Sequence, residues 1–198
     1  MSKGIRAFFA LEIKNPHVIS NVAKLQEKLE DLVRPLRIKS VEPENLHLTM
    51  RFLGNIDEET AKDLYLAVES EINDVYFADG PLEYEVRRLG DFKKRVFFVD
   101  LEGDTEKLRE MKQNLEDIVV ERFDFKPDRK FRTHITIGRL KRYRGRRGTK
   151  QRFPYEAYKE MKEEYKAENF GSVIFHKIYL KKSTLTPRGP IYENLIYE

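Results

Sequence analysis

The sequence predicts an α+β, bilobal fold in which two similar halves, each an antiparallel sheet with flanking helices, face each other across a cleft. Strands and helices follow one another without the strict alternation of a parallel α/β sheet. In addition, two short patterns recur at nearly equal offsets, which indicates a duplication related by a pseudo-twofold axis. The first is Arg6-Ala7-Phe8-Phe9-Ala10, repeated as Arg95-Val96-Phe97-Phe98-Val99, and the second is His47-Leu48-Thr49-Met50, repeated as His134-Ile135-Thr136-Ile137.

The first half begins with a strand, a helix, a strand and a helix. Residues 6–12 are apolar enough for a buried strand, and Asn15-Pro16 opens a helix with apolar residues at helical spacing. Residues 46–53 form a second apolar strand, which carries the first His-x-Thr pattern. Asp57 is expected to cap the helix that follows.

The second half repeats this order and adds strands at the carboxyl end. Residues 82–89 and 95–101 are predicted to pair across Gly90-Asp91, and a helix is expected from about residue 105 to 120. The remaining predicted elements are a strand at 131–140, a short helix at 154–166, and strands at 172–181 and 190–197. We predict that residues 1–198 form one bilobal domain with motif-bearing halves at roughly 1–90 and 91–198, between which strands can be exchanged.

The composition excludes several classes of protein. The chain has 198 residues with 38 Lys and Arg, 34 Asp and Glu, and no Cys. The lack of Cys excludes disulfides, cysteine nucleophiles and thiolate metal sites. No apolar run approaches the roughly 20 residues of a membrane helix. We therefore expect a cytoplasmic protein with no membrane partner.

Positive charge is concentrated in one segment. Residues 139–152 contain eight basic side chains and no acidic one, although the net charge of the whole chain is only +4. Without this segment the chain is slightly acidic. Such a local field favours a polyanionic partner such as RNA, and the alternative is an ordinary solvated loop.

The two His-x-Thr strands carry the candidate chemistry. Side chains alternate along a strand, so His and Thr share one face while the apolar residues between them take the other. A lone His on a strand or helix is more often structural, and we interpret His17 and His176 in that way. The two predicted polar faces consist of His47, Thr49 and Arg51 in the first half and Arg132, His134 and Thr136 in the second.

Two imidazoles and two hydroxyls facing one groove suit phosphodiester chemistry. A free imidazole has a pKa of about 6.5, so one ring can act as a general base and the other as a general acid. Threonine hydroxyls donate hydrogen bonds to phosphoryl oxygens. A metal site is disfavoured because each strand supplies one His with no second ligand on the same face. The near-symmetry of the motifs leaves open which His is the acid.

These motifs resemble those of the 2H phosphoesterase superfamily, and in particular of the RNA 2′,3′-cyclic phosphodiesterases first described as 2′-5′ RNA ligases. The resemblance spans nearly the whole chain and is strongest in three segments. One departure is Thr133, where family members usually have proline before the second motif. The three segments are 6–11, 44–54 and 131–139.

The resemblance implies that the protein opens a terminal 2′,3′-cyclic phosphate of RNA to a 2′-phosphomonoester, without a metal or another cofactor. It assigns His47 as the proton donor and His134 as the proton acceptor. Thr49, Thr136 and Arg139 would bind the phosphate.

The basic segment is expected to hold RNA beyond the terminal nucleotide. We expect a monomer whose partner is RNA with a cyclic phosphate end, such as a tRNA fragment. Two alternatives remain open at this point, namely the reverse joining of RNA ends through a 2′-5′ linkage and a non-catalytic RNA-binding module. The predicted RNA contacts are Arg142, Tyr143, Arg144, Arg146, Arg147 and Lys150.

Overall fold

The fold is built on one antiparallel sheet. The structure is a computed structural model that describes residues 4–34, 36–141, 152–187 and 189–198. Its strands lie side by side in the order β7-β4-β5-β6-β3-β1-β8-β9, and β2 also pairs with β6. The predicted α+β class with antiparallel strands is therefore confirmed, and the two halves share this one sheet. The strands are β1 (Ile5–Glu12), β2 (Ile38–Ser40), β3 (His47–Ile56), β4 (Leu82–Phe92), β5 (Val96–Glu102), β6 (His134–Leu140), β7 (Asn169–Phe175), β8 (Tyr179–Leu185) and β9 (Pro190–Asn194).

The helices begin and end close to their predicted positions. Asp57 caps α2 as expected, because its carboxylate accepts a hydrogen bond from the Thr60 amide at 2.8 Å. A wider π-helical turn at 69–73 joins α2 to α3, and another at 118–122 extends α4. The helices are α1 (Pro16–Leu32), α2 (Glu58–Val68), α3 (Asp74–Tyr76), α4 (Thr105–Asp117) and α5 (Tyr155–Glu164).

The sheet has the pseudo-twofold symmetry that the repeat predicted. From one edge its strands run β7-β4-β5-β6, and from the other edge they run β9-β8-β1-β3. The two halves of the sheet meet where β3 pairs with β6 through Leu48 and Ile135. These are the central residues of the two His-x-Thr patterns, so the axis of symmetry passes between the motifs.

Strands and helices cross between the halves of the sheet. The carboxyl-terminal strands β8 and β9 complete the part built on β1, whereas β4 pairs with β5 and β7. Helix α1 follows β1 in the chain but packs on β6 and β7, and α4 follows β5 but packs on β3. Each half of the sheet is thus covered in part by a helix that follows a strand of the other half in the chain.

One predicted strand is wrong and another was missed. The apolar run at 172–181 forms two strands, β7 and β8, that lie on opposite halves of the sheet. The chain leaves β7 at Phe175, and the buried Asn73 side chain then binds both the amide and the carbonyl of Ile178, at 2.8 and 3.0 Å. Strand β2 was not predicted because it has only three residues.

None of the helices in the described ranges is both long and apolar enough to cross a membrane.

A bulge in β6 is held in place by a buried glutamine. Thr136 lies opposite Phe98 and Gly138 opposite Phe97, so Ile137 is an extra residue in the ladder. The Ile137 carbonyl accepts hydrogen bonds from the Gln26 side chain at 2.8 Å and the Val41 amide at 2.9 Å. The same Gln26 nitrogen donates to the Val41 carbonyl at 2.8 Å, which fixes the loop after β2 against the bulge.

We expect the substitution Gln26→Met to lower the free energy of unfolding by about 1–3 kcal/mol, because it leaves the Val41 carbonyl without its donor. The measurement is the urea midpoint at unchanged slope. Gln113→Met on the exposed face of α4 is the matched control and should change stability by less than about 0.5 kcal/mol. Equal effects of the two substitutions would contradict this role of Gln26.

Candidate active site

The two motif histidines begin neighbouring strands and are held in the same way. The Nδ1 atom of His47 lies 2.6 Å from the Asn45 carbonyl, and Nδ1 of His134 lies 2.8 Å from the Arg132 carbonyl. A carbonyl oxygen can only accept a hydrogen bond, so Nδ1 is the donor in both rings. In the neutral rings the lone pair is therefore on Nε2, which is the atom available for proton transfer.

The threonines lie on the same face as the histidines. His47 and Thr49 lie opposite Glu12 and Ala10 of β1, and this spacing of two on both strands keeps them on one side of the sheet. The Thr49 hydroxyl is 2.9 Å from Nε2 of His47. It donates to that atom when the ring is neutral.

Arg51 does not share this face, which corrects the expectation from simple alternation. Thr49 pairs with Ala10 and Arg51 pairs with Phe9, so Met50 is an extra residue in β3 and the next side chains change sides. Arg51 is only 4% exposed on the helix-covered side of the sheet. Phe52 takes the His face instead, where it is 57% exposed.

The buried Arg51 ties the segment before His134 to the rest of the protein. Its guanidinium donates to the Lys126 carbonyl at 2.6 Å and forms ion pairs with Glu116 at 3.2 Å and Asp128 at 3.6 Å. Lys112 pairs with the same two carboxylates. Residues 124–133 have no regular structure, and this network holds their first part against α4 and β3.

Arg139 does lie on the motif face, and the bulge at Ile137 is the reason. Thr136 pairs with Phe98 and Arg139 pairs with Val96, and Phe98 and Val96 are two residues apart on β5. Arg139 therefore emerges on the side of Thr136, although the spacing of three would place it on the other side of a regular strand. Phe52 occupies the equivalent position in the first half, three residues after Thr49.

Burial and positive charge lower the pKa of both histidines. Burial brings the pKa of His47 to about 4, and the charges of Lys181 and Arg139 act in the same direction against the hydrogen bond to Asn45. The pKa of His134 is also lowered by burial, with further lowering by Arg132 and Arg139 that its hydrogen bond to the Arg132 carbonyl and the charge of Asp100 oppose. Burial thus favours the neutral form of both rings in the ligand-free protein.

Aromatic side chains surround the histidines and differ between the two halves. Phe8 and Tyr192 pack on His47 with ring centroids 5.1 and 5.5 Å away. Phe92 and Phe98 pack on His134 at 4.9 and 5.3 Å. Sequence reasoning missed these contacts because they come from four different strands. A cavity of about 220 Å³ near His47 is lined by Arg6, Ala7, Phe8, Phe52, Gly54, Ser183, Leu185, Pro190 and Tyr192.

A buried ion pair lies beside His47 and was also missed. Lys181 is 6% exposed, and its amine is 2.6 Å from the Glu12 carboxylate and 2.7 Å from the Asn194 side chain. Burial raises the pKa of Glu12, but Lys14 and Lys181 together hold it below the usual range. Glu12 therefore stays ionised opposite His47, and Lys181 contributes positive charge to the site.

Among residues 4–34, 36–141, 152–187 and 189–198, no group of three or more His, Asp or Glu side chains is arranged to hold a metal ion. The predicted RNA contacts fall outside these ranges. They are Arg142, Tyr143, Arg144, Arg146, Arg147 and Lys150.

Comparison with known proteins finds relatives over the whole chain. The RNA 2′,3′-cyclic phosphodiesterase of Methanocaldococcus jannaschii is 32% identical over 195 residues, which cover 96% of this chain and 97% of the relative. The protein of the same name from Thermotoga maritima is 28% identical over 98% of this chain and 94% of its own length.

Solved structures have the same fold. TT0787 of Thermus thermophilus matches with a TM-score of 0.66 and 28% identity, over 96% of this chain and 95% of its own. E. coli LigT in apo form matches with a TM-score of 0.68 and 19% identity, over 98% and 96% of the two chains. LigT thus shares the architecture.

The family model described as the AKAP7 2′5′ RNA ligase-like domain matches residues 7–194. This span includes both His-x-Thr strands and all strands of the sheet except the first two residues of β1. The chain therefore belongs to this family of 2H phosphoesterases, as the paired motifs predicted.

Proposed function

We propose that the protein hydrolyses the terminal 2′,3′-cyclic phosphate of RNA to a 2′-phosphomonoester by metal-independent acid and base catalysis with His47 and His134. One observation carries the proposal: two His-x-Thr strands are adjacent in the sheet, and a backbone carbonyl holds each ring so that Nε2 is its reactive atom. The relatives that cover nearly the whole chain are named RNA 2′,3′-cyclic phosphodiesterases, which supports the same substrate here.

The reaction needs one proton removed and one supplied. Nε2 of His134 takes a proton from water as the water oxygen attacks phosphorus, and the P–O3′ bond breaks on the opposite side. His47 gives its Nε2 proton to O3′, which leaves the phosphate on O2′. The roles of the two rings follow from the family resemblance, since their hydrogen bonds are nearly symmetric.

The remaining site residues bind the phosphate. The hydroxyls of Thr49 and Thr136 donate to its non-bridging oxygens, and Thr49 gives up its contact with His47 to do so. Arg139 lies on the same face and supplies positive charge to the phosphorane as it forms.

The negative charge of the substrate favours the protonated form of His47 that a general acid requires. In the ligand-free protein His47 is neutral at pH 7, whereas a general acid must carry a proton. The cyclic phosphodiester brings one negative charge next to the ring, and a nearby opposite charge favours the protonated imidazole. Binding of the substrate and protonation of His47 are therefore coupled.

The first prediction concerns the two rings. His47→Ala and His134→Ala should each lower kcat by roughly two to four orders of magnitude with the fold intact. The double variant should lose less than the product of the two single losses, because the groups act on one phosphate. His17→Ala and His176→Ala are matched controls outside the site. A folded single variant with near-normal turnover would exclude the mechanism, and a wild-type protein that binds RNA without turnover would favour a binding module.

The second prediction concerns metals and the product. RNA ending in a 2′,3′-cyclic phosphate should be opened at the same rate with and without EDTA, because the proposed proton transfers use only imidazoles. Chromatography against 2′- and 3′-phosphate standards should show the 2′-phosphomonoester. Activity that EDTA abolishes and a divalent cation restores would rule out the proposed chemistry, and a 3′-phosphate product would reverse the assignment of the leaving oxygen.

The third prediction concerns pH. The profile of kcat/KM reports pKa values of the free enzyme, and the active form has one ring protonated and one neutral. Because the pKa of His47 is about 4 and that of His134 is also lowered, the bell should lie below pH 6.5 and fall about tenfold per pH unit above it. Arg139→Gln removes a charge that lowers both pKa values, so its bell should move to higher pH. A wild-type optimum above pH 7.5 would contradict the prediction.

A further inference from the structure

A tyrosine on the last strand of the sheet reaches the first motif histidine. Tyr192 lies on β9, and β8 and β1 separate that strand from β3, which carries His47. Its ring nevertheless packs edge-on against His47, with the ring centroids 5.5 Å apart, and against Phe8 at 4.8 Å. The side chain therefore extends over the motif face toward the middle of the sheet.

The strand that carries Tyr192 is tied to the segment that holds His47. Tyr192 pairs with Ser183 of β8, and the Pro190 carbonyl at the start of β9 accepts a hydrogen bond from the Asn45 side chain at 2.9 Å. The backbone carbonyl of Asn45 is also the partner of Nδ1 of His47. The tyrosine and the histidine thus share an anchor, which fixes their relative position.

The Tyr192 hydroxyl forms no hydrogen bond with any residue in the described parts of the chain. Buried tyrosine hydroxyls usually find such a partner, as Tyr84 does with the Asp104 carbonyl and Tyr158 with the Asp91 carboxylate. Tyr192 is half-buried, and its oxygen is still reached by solvent. A ligand on the motif face can therefore bind this hydroxyl without displacing a protein contact.

Two arginines from other strands act on this hydroxyl. Burial raises the pKa of Tyr192, and the positive charges of Arg139 on β6 and Arg6 on β1 oppose this rise, which Glu42 supports. The phenol is therefore protonated at neutral pH and can donate a hydrogen bond. Because β6 and β9 lie on opposite sides of β3 in the sheet, Arg139 and Tyr192 approach His47 from opposite directions.

The other half of the sheet packs its histidine without a hydroxyl. Phe92 and Phe98 contact His134 at centroid distances of 4.9 and 5.3 Å. Phenylalanine is therefore sufficient to pack on a motif histidine in this fold. Packing alone does not account for the hydroxyl of Tyr192, which adds a polar group beside His47.

We propose that the Tyr192 hydroxyl donates a hydrogen bond to a non-bridging oxygen of the substrate phosphate, and that Tyr192 is therefore a further catalytic residue. The inference rests on the proposed function, but it does not depend on which histidine is the acid. The phosphate oxygens gain negative charge when the nucleophile adds to phosphorus. A donor aimed at these oxygens therefore stabilises the transition state more than the bound substrate.

The test removes the hydroxyl and keeps the ring. Tyr192→Phe is compared with Tyr192→Leu, which removes the ring as well. The matched control is Tyr65→Phe on α2, because Tyr65 is also half-buried and its hydroxyl has no hydrogen-bond partner in the described ranges. The substrates are two RNAs that differ only in ending with adenosine or uridine 2′,3′-cyclic phosphate. Single-turnover measurements at varied protein concentration give the rate of the chemical step and the apparent Kd, and thermal unfolding gives the Tm.

Tyr192→Phe should lower the rate of the chemical step by about 10- to 100-fold and change the apparent Kd by less than about threefold. The factor should be the same for both RNAs, because the phosphate does not differ between them. The pH optimum should not move, since the phenol is neutral throughout the active range. Tyr65→Phe should stay within about twofold of wild type.

Three results would overturn the inference. In the first, Tyr192→Phe keeps the wild-type rate and only Tyr192→Leu is impaired, which would leave the ring a packing role. In the second, the loss is confined to the apparent Kd or to one of the two RNAs, which would place the hydroxyl on the nucleoside. In the third, the rate falls only in proportion to the unfolded fraction. A wild-type protein that opens neither RNA would instead refute the proposed function itself.

Discussion

The pairing of β3 with β6 through Leu48 and Ile135 is the contact on which the rest of the site depends. Both side chains are almost fully buried against the helices, at 0% and 1% exposure. Because neighbouring residues of a strand face opposite sides, burial of these two places His47, Thr49, His134 and Thr136 together on the other side. A slip of one residue on either strand would send that motif into the core, so the hydrophobic core fixes the register of the motif face.

The bulges in β3 and β6 place different residues at the site in the two halves of the symmetric sheet. In each half an extra residue follows the threonine, Met50 in β3 and Ile137 in β6, and the next two side chains change faces. The third residue after threonine thus emerges at the site, and it is Phe52 in one half and Arg139 in the other.

On the helix-covered side the equivalent residues are Arg51, which anchors the segment before His134, and Gly138. A Cβ on Gly138 would approach the Ile38 side chain to 2.8 Å, so glycine lets β2 pack closely. The same kind of bulge therefore places an aromatic ring and a cation at the site. On the other side of the sheet it places a buried arginine and a glycine that allows close strand packing.

The electrostatics of the site suit an anionic substrate. Arg139 lowers the pKa of both histidines. Lys181 also lowers that of His47, and Arg132 that of His134. Positive charges thus surround the two imidazole rings. Glu12 and Asp100 lie directly opposite the two histidines and balance part of this charge. These carboxylates form ion pairs with Lys181 and Arg132, respectively.

The sequence by itself determined the duplication, the α+β class, the two His-x-Thr strands and the placement of the pairs His47–Thr49 and His134–Thr136 each on one face of its strand. These follow from local rules, namely apolar periodicity, capping and alternation, which act over a few residues. The family resemblance also pointed to Arg139, and the structure places this residue on the motif face. The tertiary structure alone decided that Arg51 points away from the site and that the run at 172–181 splits between the halves of the sheet, because a bulge or a strand's partner depends on residues that are distant in the chain. The aromatic cavity near His47 was beyond sequence reasoning for the same reason, because its lining comes from β1, β3, β8 and β9, which only the pairing of the sheet brings together.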